Sequence, residues 1–326
     1  MDISVIIATY NSDITKLKNT LSSILCQKNV NFEIIIADDG SITKNQSLVK
    51  KLIENINADN IKTILNKENE GTIKNLYKAV CIAQGEYIFT IGPGDLLFDP
   101  YVLHDIVEMA LHKQNCGIFF GKAVYYCNTE KNIKVFDGYI GKPKSPNLYD
   151  DSKSVNEKKI AFFFGNFIIG AAYLRKKEMA IRYFKKASEI GVYAEDMLST
   201  SIALAENENI IFLDRNVLWY EFGTGISTSL DLKWTNILNS EYDKLYDYLS
   251  DKFPDDRIIR AAKYSHYNPH VKRILYRMFN FPELFWIEIK QKFSSKNKMK
   301  CSESEKKYLI KLLNDNESEG NLDASD

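Results

Sequence analysis

Apolar residues in the first hundred positions come in two alternating arrangements, short unbroken runs and helically spaced stripes. Residues 3–10 form a β-rich run that Asn11, Ser12 and Asp13 close with turn and cap chemistry. Ile14, Leu17, Leu21, Ile24 and Leu25 then share one helical face. The run returns at 32–37 and ends in Asp38-Asp39-Gly40-Ser41. Beyond it the pattern predicts a helix over 47–56, a short strand over 61–65 and a helix over 71–83. A fourth strand, 87–91, is aromatic and β-branched and stops at Gly92-Pro93-Gly94. Asp95 is the first charge past that stop, and Pro100 is suited to open the next helix. Strands and helices alternating at this period predict an α/β fold, with a mainly parallel sheet flanked by helices.

The pattern loosens in the second half. Residues 117–126 read as a strand with Val135-Phe136 as a partner, and 142–159, polar and carrying Pro143 and Pro146, as a mobile loop. Gly165 and Gly170 have the spacing of a phosphate-binding loop, but Ala171-Ala172 stand where Lys and a hydroxyl residue are required. No Gly-x-Gly-x-x-Gly follows any strand, which argues against a dinucleotide enzyme. A helix is predicted over 176–187, and Glu195-Asp196 opens another that runs to 205. Residues 210–213 and 217–220 read as a hairpin turned by Asp214-Arg215-Asn216. The Gly- and hydroxyl-rich stretch 223–229 could hold phosphate oxygens or be a plain connection.

From Lys233 onward the chain reads as helical, with a stripe at Leu238, Tyr242, Leu245, Leu249 and Phe253 and further helices over 255–266, 269–279 and 283–293. Arg273, Arg277, Phe285, Trp286 and Lys290 could rest on a membrane surface or a partner enzyme, or pack back on the α/β unit. Residues 314–326 are polar and acidic, a composition expected to be disordered. These divisions suggest a catalytic unit over 1–230, a helical carboxy-terminal region over 231–313 and a tail over 314–326.

Composition narrows the class. A chain of 326 residues that is 45% hydrophobic can bury a large core, and its formal charge of zero argues against nucleic acid as a main partner. The longest nearly uncharged apolar run, 161–174, is shorter than the ~20 residues a bilayer span needs. No basic segment followed by an apolar core opens the chain, and the five cysteines lack metal-ligand spacing and read as reduced thiols. The expectation is a cytoplasmic protein, with the inner face of the membrane as a second possibility.

Candidate chemistry gathers at the strand ends. Thr9-Tyr10-Asn11, Asp38-Asp39 and Asp95 would line up along one edge of the sheet, where open α/β sheets bind ligands. Adjacent carboxylates closing a buried strand are costly unless hydrogen-bonded, although either could cap the following helix. Glu195-Asp196 could equally be a favourable pair at a helix N-terminus. Asp99 reads as a cap, and Asn166 either as a buried structural amide or as a sugar contact.

Ser4-Val-Ile-Ile-Ala-Thr-Tyr-Asn11, Glu33-Ile-Ile-Ile-Ala-Asp-Asp-Gly-Ser41, Asn69-Glu-Gly71, Lys74-Asn75 and Gly85-Glu-Tyr-Ile88 together resemble the amino-terminal half of family-2 glycosyltransferases. The resemblance implies the A-type fold, with a Rossmann-like sheet, and an inverting transfer from a nucleotide-diphosphate sugar, UDP-linked by expectation. The acceptor would be a hydroxyl of a glycan, glycolipid or glycoprotein in surface polysaccharide or glycoconjugate assembly. It assigns Thr9 and Asp39 to the base, Asp38 to support of the same loop and Lys74 to the nucleotide. Tyr10, Asn11, Asn69, Gly71 and Gly94 complete the donor edge. Asp196 becomes the base that deprotonates the acceptor, with Glu195 in support.

Where the family often carries Asp-x-Asp-Asp, this chain reads Gly92-Pro93-Gly94-Asp95, which leaves Asp95 as the expected ligand of Mg²⁺ or Mn²⁺. A nucleotidyltransferase is the enzymatic alternative, and a catalytically weak scaffold subunit the non-enzymatic one.

Overall fold

The computed structural model describes residues 1–113, 115–129, 132–136, 141–223, 232–282 and 301–314. The predicted helix at 283–293, loop residues 224–229 and the tail beyond 314 lie outside the described residues. Strands β1 (Ile3–Thr9), β2 (Phe32–Asp38), β3 (Ile61–Leu65) and β4 (Tyr87–Ile91) pair in parallel in the order β3-β2-β1-β4. The sheet continues through β8 (Tyr173–Lys176), β6 (Ile118–Thr129), β9 (Ile210–Glu221) and β5 (Leu96–Leu97), while β7 (Asn132–Val135) pairs with β6. Strand β8 runs antiparallel to both β4 and β6 and joins the two halves of the sheet.

Alternation along β1 distributes its side chains between two cores. Ile3, Val5 and Ile7 pack with Leu17, Leu21 and Ile24 of α1 (Ile14–Leu25) and Val49 of α2 (Thr43–Ile56). Ile6, on the opposite face, packs with Leu76, Ala79 and Val80 of α3 (Thr72–Ile82) and Phe184 of α6 (Lys177–Ser188). Helix α4 (Val102–Leu111) belongs to the first core, as do Leu309, Leu312 and Leu313 of α11 (Glu303–Asn314). A further core joins α5 (Val155–Phe163) and α7 (Glu195–Ala205) to α8 (Leu232–Lys252) and α9 (Arg257–Tyr267). Helix α10 (His270–Asn280) docks on α9 through Tyr276, which stacks on Tyr264 at 4.1 Å. Among the described residues, no helix is long and apolar enough to cross a membrane.

Two expectations are corrected. Residues 210–221 form one continuous strand rather than a hairpin. Arg215 ties its midpoint to Asp99 (2.6 Å) and Asp105 (3.0 Å), Asp214 pairs with Lys122, and a register shift against β6 beside Lys122 absorbs the polar triplet without a turn. The stretch 142–159 is folded rather than a mobile loop. Residues Pro146–Tyr149 make a 3₁₀ turn, and a capping box between Ser154 and Glu157 starts α5. Lys158 and Lys159 are buried because their amines find acceptors, Asn209 Oδ1 at 2.7 Å and the Asp256 carboxylate.

Candidate active site

The carboxyl ends of β1 and β4 open into a cavity of about 360 Å³, at the point where the parallel order reverses. Ser12, Thr72, Gly92, Asp95, Glu195 and Glu221 contribute to its walls. One flank is a hydrogen-bonded scaffold built from the predicted motifs. Asn11 has left-handed backbone (φ 47°); its N–H donates to Ser41 Oγ (2.6 Å) and its Oδ1 accepts the Ile42 N–H (2.9 Å). Thr9 is buried and donates its hydroxyl to Ser12 Oγ (2.7 Å). Asp38 accepts the Ser41 N–H (2.9 Å) and Gln46 Nε2 (2.8 Å), and so holds its loop as expected of a buried carboxylate.

Asp39 accepts the N–H groups of Glu70 and Gly71, both at 2.9 Å, and draws the 69–71 loop against β2. Asn69 Oδ1 also accepts the Gly71 N–H, at 3.1 Å. A Cβ on Gly71 would lie 2.8 Å from that of Val192, and its φ of +93° disfavours any other residue. Tyr10 and Lys74 are exposed. Thus Thr9, Asn11, Asp38, Asp39, Asn69 and Gly71 form one scaffold, whereas Asp95 and Glu195 face the cavity itself.

Asp95 sits on a clamped turn. Its carbonyl accepts the Thr20 hydroxyl (2.8 Å) and its Oδ1 accepts the Glu221 N–H (3.0 Å). Burial pushes the Asp95 carboxyl up to about 8; the Glu221 charge adds to this, while that residue's N–H and Lys16 oppose it. Lys16 Nζ lies 2.8 and 2.7 Å from the two Glu221 oxygens. Neither Glu221 nor Lys16 stood out in the sequence. The available signal was an acidic residue closing an apolar strand, as Asp38 does. Among the described residues no three His, Cys, Asp or Glu side chains converge on a metal position. The carboxylates at this cavity do suit a hard divalent cation whose remaining ligands come from elsewhere.

Glu195 and Asp196 open α7, after a loop held by Glu241 of α8. The Glu241 carboxylate accepts the N–H groups of Val192 (2.8 Å) and Ala194 (2.9 Å). Asp196 accepts its neighbour's Met197 N–H (2.7 Å) and the Gly170 N–H (3.2 Å). Glu195 Oε2 is buried and has no hydrogen-bond partner among the described residues. Burial raises both carboxyls; in Glu195 the Asp196 charge adds to it and Arg175 opposes it, and in Asp196 the two N–H groups, Lys142 and Arg175 oppose it.

Glu195 faces the first cavity, whereas Asp196 faces a second of about 520 Å³ walled by Tyr125, Phe162, Phe167, Tyr242 and Tyr246. Tyr220 borders both. Asn166 proves to be a structural amide, exchanging two 2.9 Å hydrogen bonds with the Ser145 backbone.

Solved structures share this architecture. A 1–349 fragment of TarS from S. aureus superposes with a TM-score of 0.56 at 16% identity, covering 82% of this chain and 71% of that one. A mannosyltransferase from Pyrobaculum calidifontis, solved with GDP-Man and Mn²⁺, gives 0.52 at 14% identity, covering 97% and 82%. The fold is therefore the A-type glycosyltransferase fold.

The glycosyl transferase family 2 model matches residues 4–175, more than half of the chain, and the chain belongs to that family. The uncharacterized glycosyltransferase alr2836 of Nostoc sp. is 33% identical over 155 residues, 48% of this chain and 45% of its own length. EpsE of Bacillus subtilis (strain 168) is 29% identical over 123 residues, 38% of this chain and 44% of its own. The chain spans less than half the length of these two relatives.

Proposed function

We propose that this chain is an inverting glycosyltransferase that moves a sugar from a nucleotide diphosphate, UDP by preference, to a hydroxyl of a carbohydrate-bearing acceptor. The observation that carries the reading is the pair Glu195 and Asp196, facing two adjoining cavities that share Tyr220 as a wall. The donor takes the cavity at the β1 and β4 ends, its nucleotide lying toward Thr9, Asn11, Asp39 and Lys74. The acceptor takes the aromatic cavity, where sugar rings can lie against tyrosine and phenylalanine faces. Its oxygen bonds to the anomeric carbon as that carbon's bond to the diphosphate breaks, and its proton passes to Asp196. Glu195 supports the pair from the donor side.

Structures of TarS with UDP-GlcNAc and of the P. calidifontis enzyme with GDP-Man and Mn²⁺ support a nucleotide-sugar donor and a divalent cation. Mg²⁺ or Mn²⁺ held by Asp95 and donor phosphate oxygens would neutralise the leaving diphosphate.

Residues 1–230 are read as the catalytic unit, with α8 and α9 walling the acceptor cavity. Helix α10 offers a site for peripheral membrane contact: Val271, Ile274, Leu275, Met278 and Phe279 are exposed, Phe279 by 80%, and the helix carries basic but no acidic residues. Assembly of surface polysaccharide or glycoconjugates at the inner membrane face suits that arrangement. The loss of carboxylates at 92 and 94 favours one rival, a catalytically weak scaffold. A panel of nucleotide sugars tested for thermal stabilisation, then for turnover with carbohydrate acceptors, separates the two. Stabilisation by at least one donor with release of nucleoside diphosphate supports transfer, and binding without turnover across the panel supports the scaffold.

A further inference from the structure

At position 94, where the family often carries an aspartate, this chain has glycine. A Cβ built on Gly94 would lie 2.3 Å from Glu221 Oε2. In an aspartate, ordinary bond lengths place each carboxylate oxygen about 2.4 Å from its own Cβ. A Glu221 oxygen therefore stands at the distance where an oxygen of an aspartate at 94 would be, delivered from a strand end 126 residues beyond Asp95.

The placement is held from several sides. The Glu221 N–H donates to Asp95 Oδ1 at 3.0 Å, and Lys16 engages both Glu221 oxygens. The Gly94 N–H donates to Thr20 Oγ1 (3.0 Å), and the Gly94 carbonyl accepts the Tyr126 hydroxyl (2.5 Å). Glu221 is only 5% exposed, yet with Asp95 it walls the donor cavity. Its φ of +99° keeps Gly94 itself from carrying a side chain easily.

We infer that Glu221 replaces the missing acidic residue at 94, forming with Asp95 a two-carboxylate site for a divalent cation at the donor diphosphate. Lys16 occupies Glu221 until that cation arrives. The inference rests on the donor reading given above. A diphosphate brought to this wall meets two carboxylates, with Lys16 already engaged by Glu221, and a divalent cation makes the two sets of oxygens compatible. Lys16 is then a competitor of the metal, and its removal has the opposite effect to loss of Glu221.

The test is a Mn²⁺ titration of the full chain with UDP, and then with GDP, followed by the paramagnetic resonance signal of free Mn²⁺. Calorimetry reports nucleotide binding separately, and thermal melting checks the fold of each variant. Glu221→Gln is expected to weaken Mn²⁺ retention roughly tenfold or more, and Lys16→Met to tighten it. Lys16→Met gives the answer alone if Glu221→Gln fails to fold. Unchanged Mn²⁺ affinity in Glu221→Gln, weaker affinity in Lys16→Met, or nucleotide binding with no Mn²⁺ retained overturns the inference and leaves glycosyl transfer standing. Absence of UDP and GDP binding in every form, with or without Mn²⁺, overturns the donor reading and the inference with it.

Discussion

Glu195 and Asp196 are consecutive in the chain, yet one borders the cavity at the β1 and β4 ends and the other the aromatic cavity. The first turn of a helix produces this split, since neighbouring residues there project about 100° apart. On the reading proposed above, that turn stands between the two substrates.

Asp196→Asn keeps the shape and one acceptor oxygen but removes the basicity. Transfer is expected to fall by roughly 10²- to 10⁴-fold, with donor affinity and melting temperature nearly unchanged. Steady-state kinetics beside donor calorimetry makes the check, and wild-type turnover would place the base elsewhere.

The carboxyl of Glu195 is raised by burial, so the folded chain keeps a proton that the unfolded chain releases above about pH 4.3. Its contribution to stability is full below that value and is lost as pH rises toward the raised folded value. Metal-free wild type should lose melting temperature from pH 5 to 7.5 more steeply than Glu195→Gln does. Parallel slopes in the two melting series would show that Glu195 ionises freely in the fold.

Asp39→Ala leaves the Glu70 and Gly71 N–H groups without their carboxylate. The expected cost is about 1.5–3 kcal/mol of stability, together with weaker nucleotide binding as the 69–71 loop loosens. Denaturant melts and calorimetry test the two parts. Loss of stability with affinity intact would confine Asp39 to the scaffold.

Glu241→Ala acts at a distance in sequence, since this α8 carboxylate secures the loop that leads into Glu195 and Asp196. Transfer should drop by at least about tenfold and nucleotide affinity by less, because Thr9, Asn11 and Asp39 lie at the β1 and β2 ends and the loop reaches that scaffold through the contact of Val192 with Gly71. A selective loss of nucleotide affinity would contradict that division.

If α10 meets an anionic bilayer, the full chain should sediment with vesicles containing phosphatidylglycerol and remain free of neutral ones. Leu275→Ser with Phe279→Ser should abolish sedimentation without changing donor binding. Equal sedimentation of wild type and variant would remove this face from membrane contact.

The parallel half of the sheet was legible because its strands are nearly pure apolar runs and its loops carry Asn, Asp and Gly where the chain must turn. The cost of burying adjacent carboxylates required Asp38 and Asp39 to have hydrogen-bond partners but left those partners open. Less legible were features that depend on distant partners. Asp214-Arg215-Asn216 looks like a turn until Asp99, Asp105 and Lys122 are present to pair with it. Lys158 and Lys159 look solvent-bound until Asn209 and Asp256 approach them. The spacing of Leu309, Leu312 and Leu313 was in the sequence, but only α1 and the sheet beside them show that α11 closes a core. Glu221 was hidden by its strand, since its importance lies in a glycine far upstream.

The bond between the Glu221 N–H and Asp95 also bears on the order in which the protein is made. The match to the family model ends at residue 175. A nascent chain of that length would be recognisable, yet its cavity at the β1 and β4 ends would lack the walls supplied by Glu195, Tyr220 and Glu221. On the reading proposed above, competence to hold a nucleotide sugar would wait on synthesis of β9, and the α8 and α9 walls of the second cavity would follow only after it.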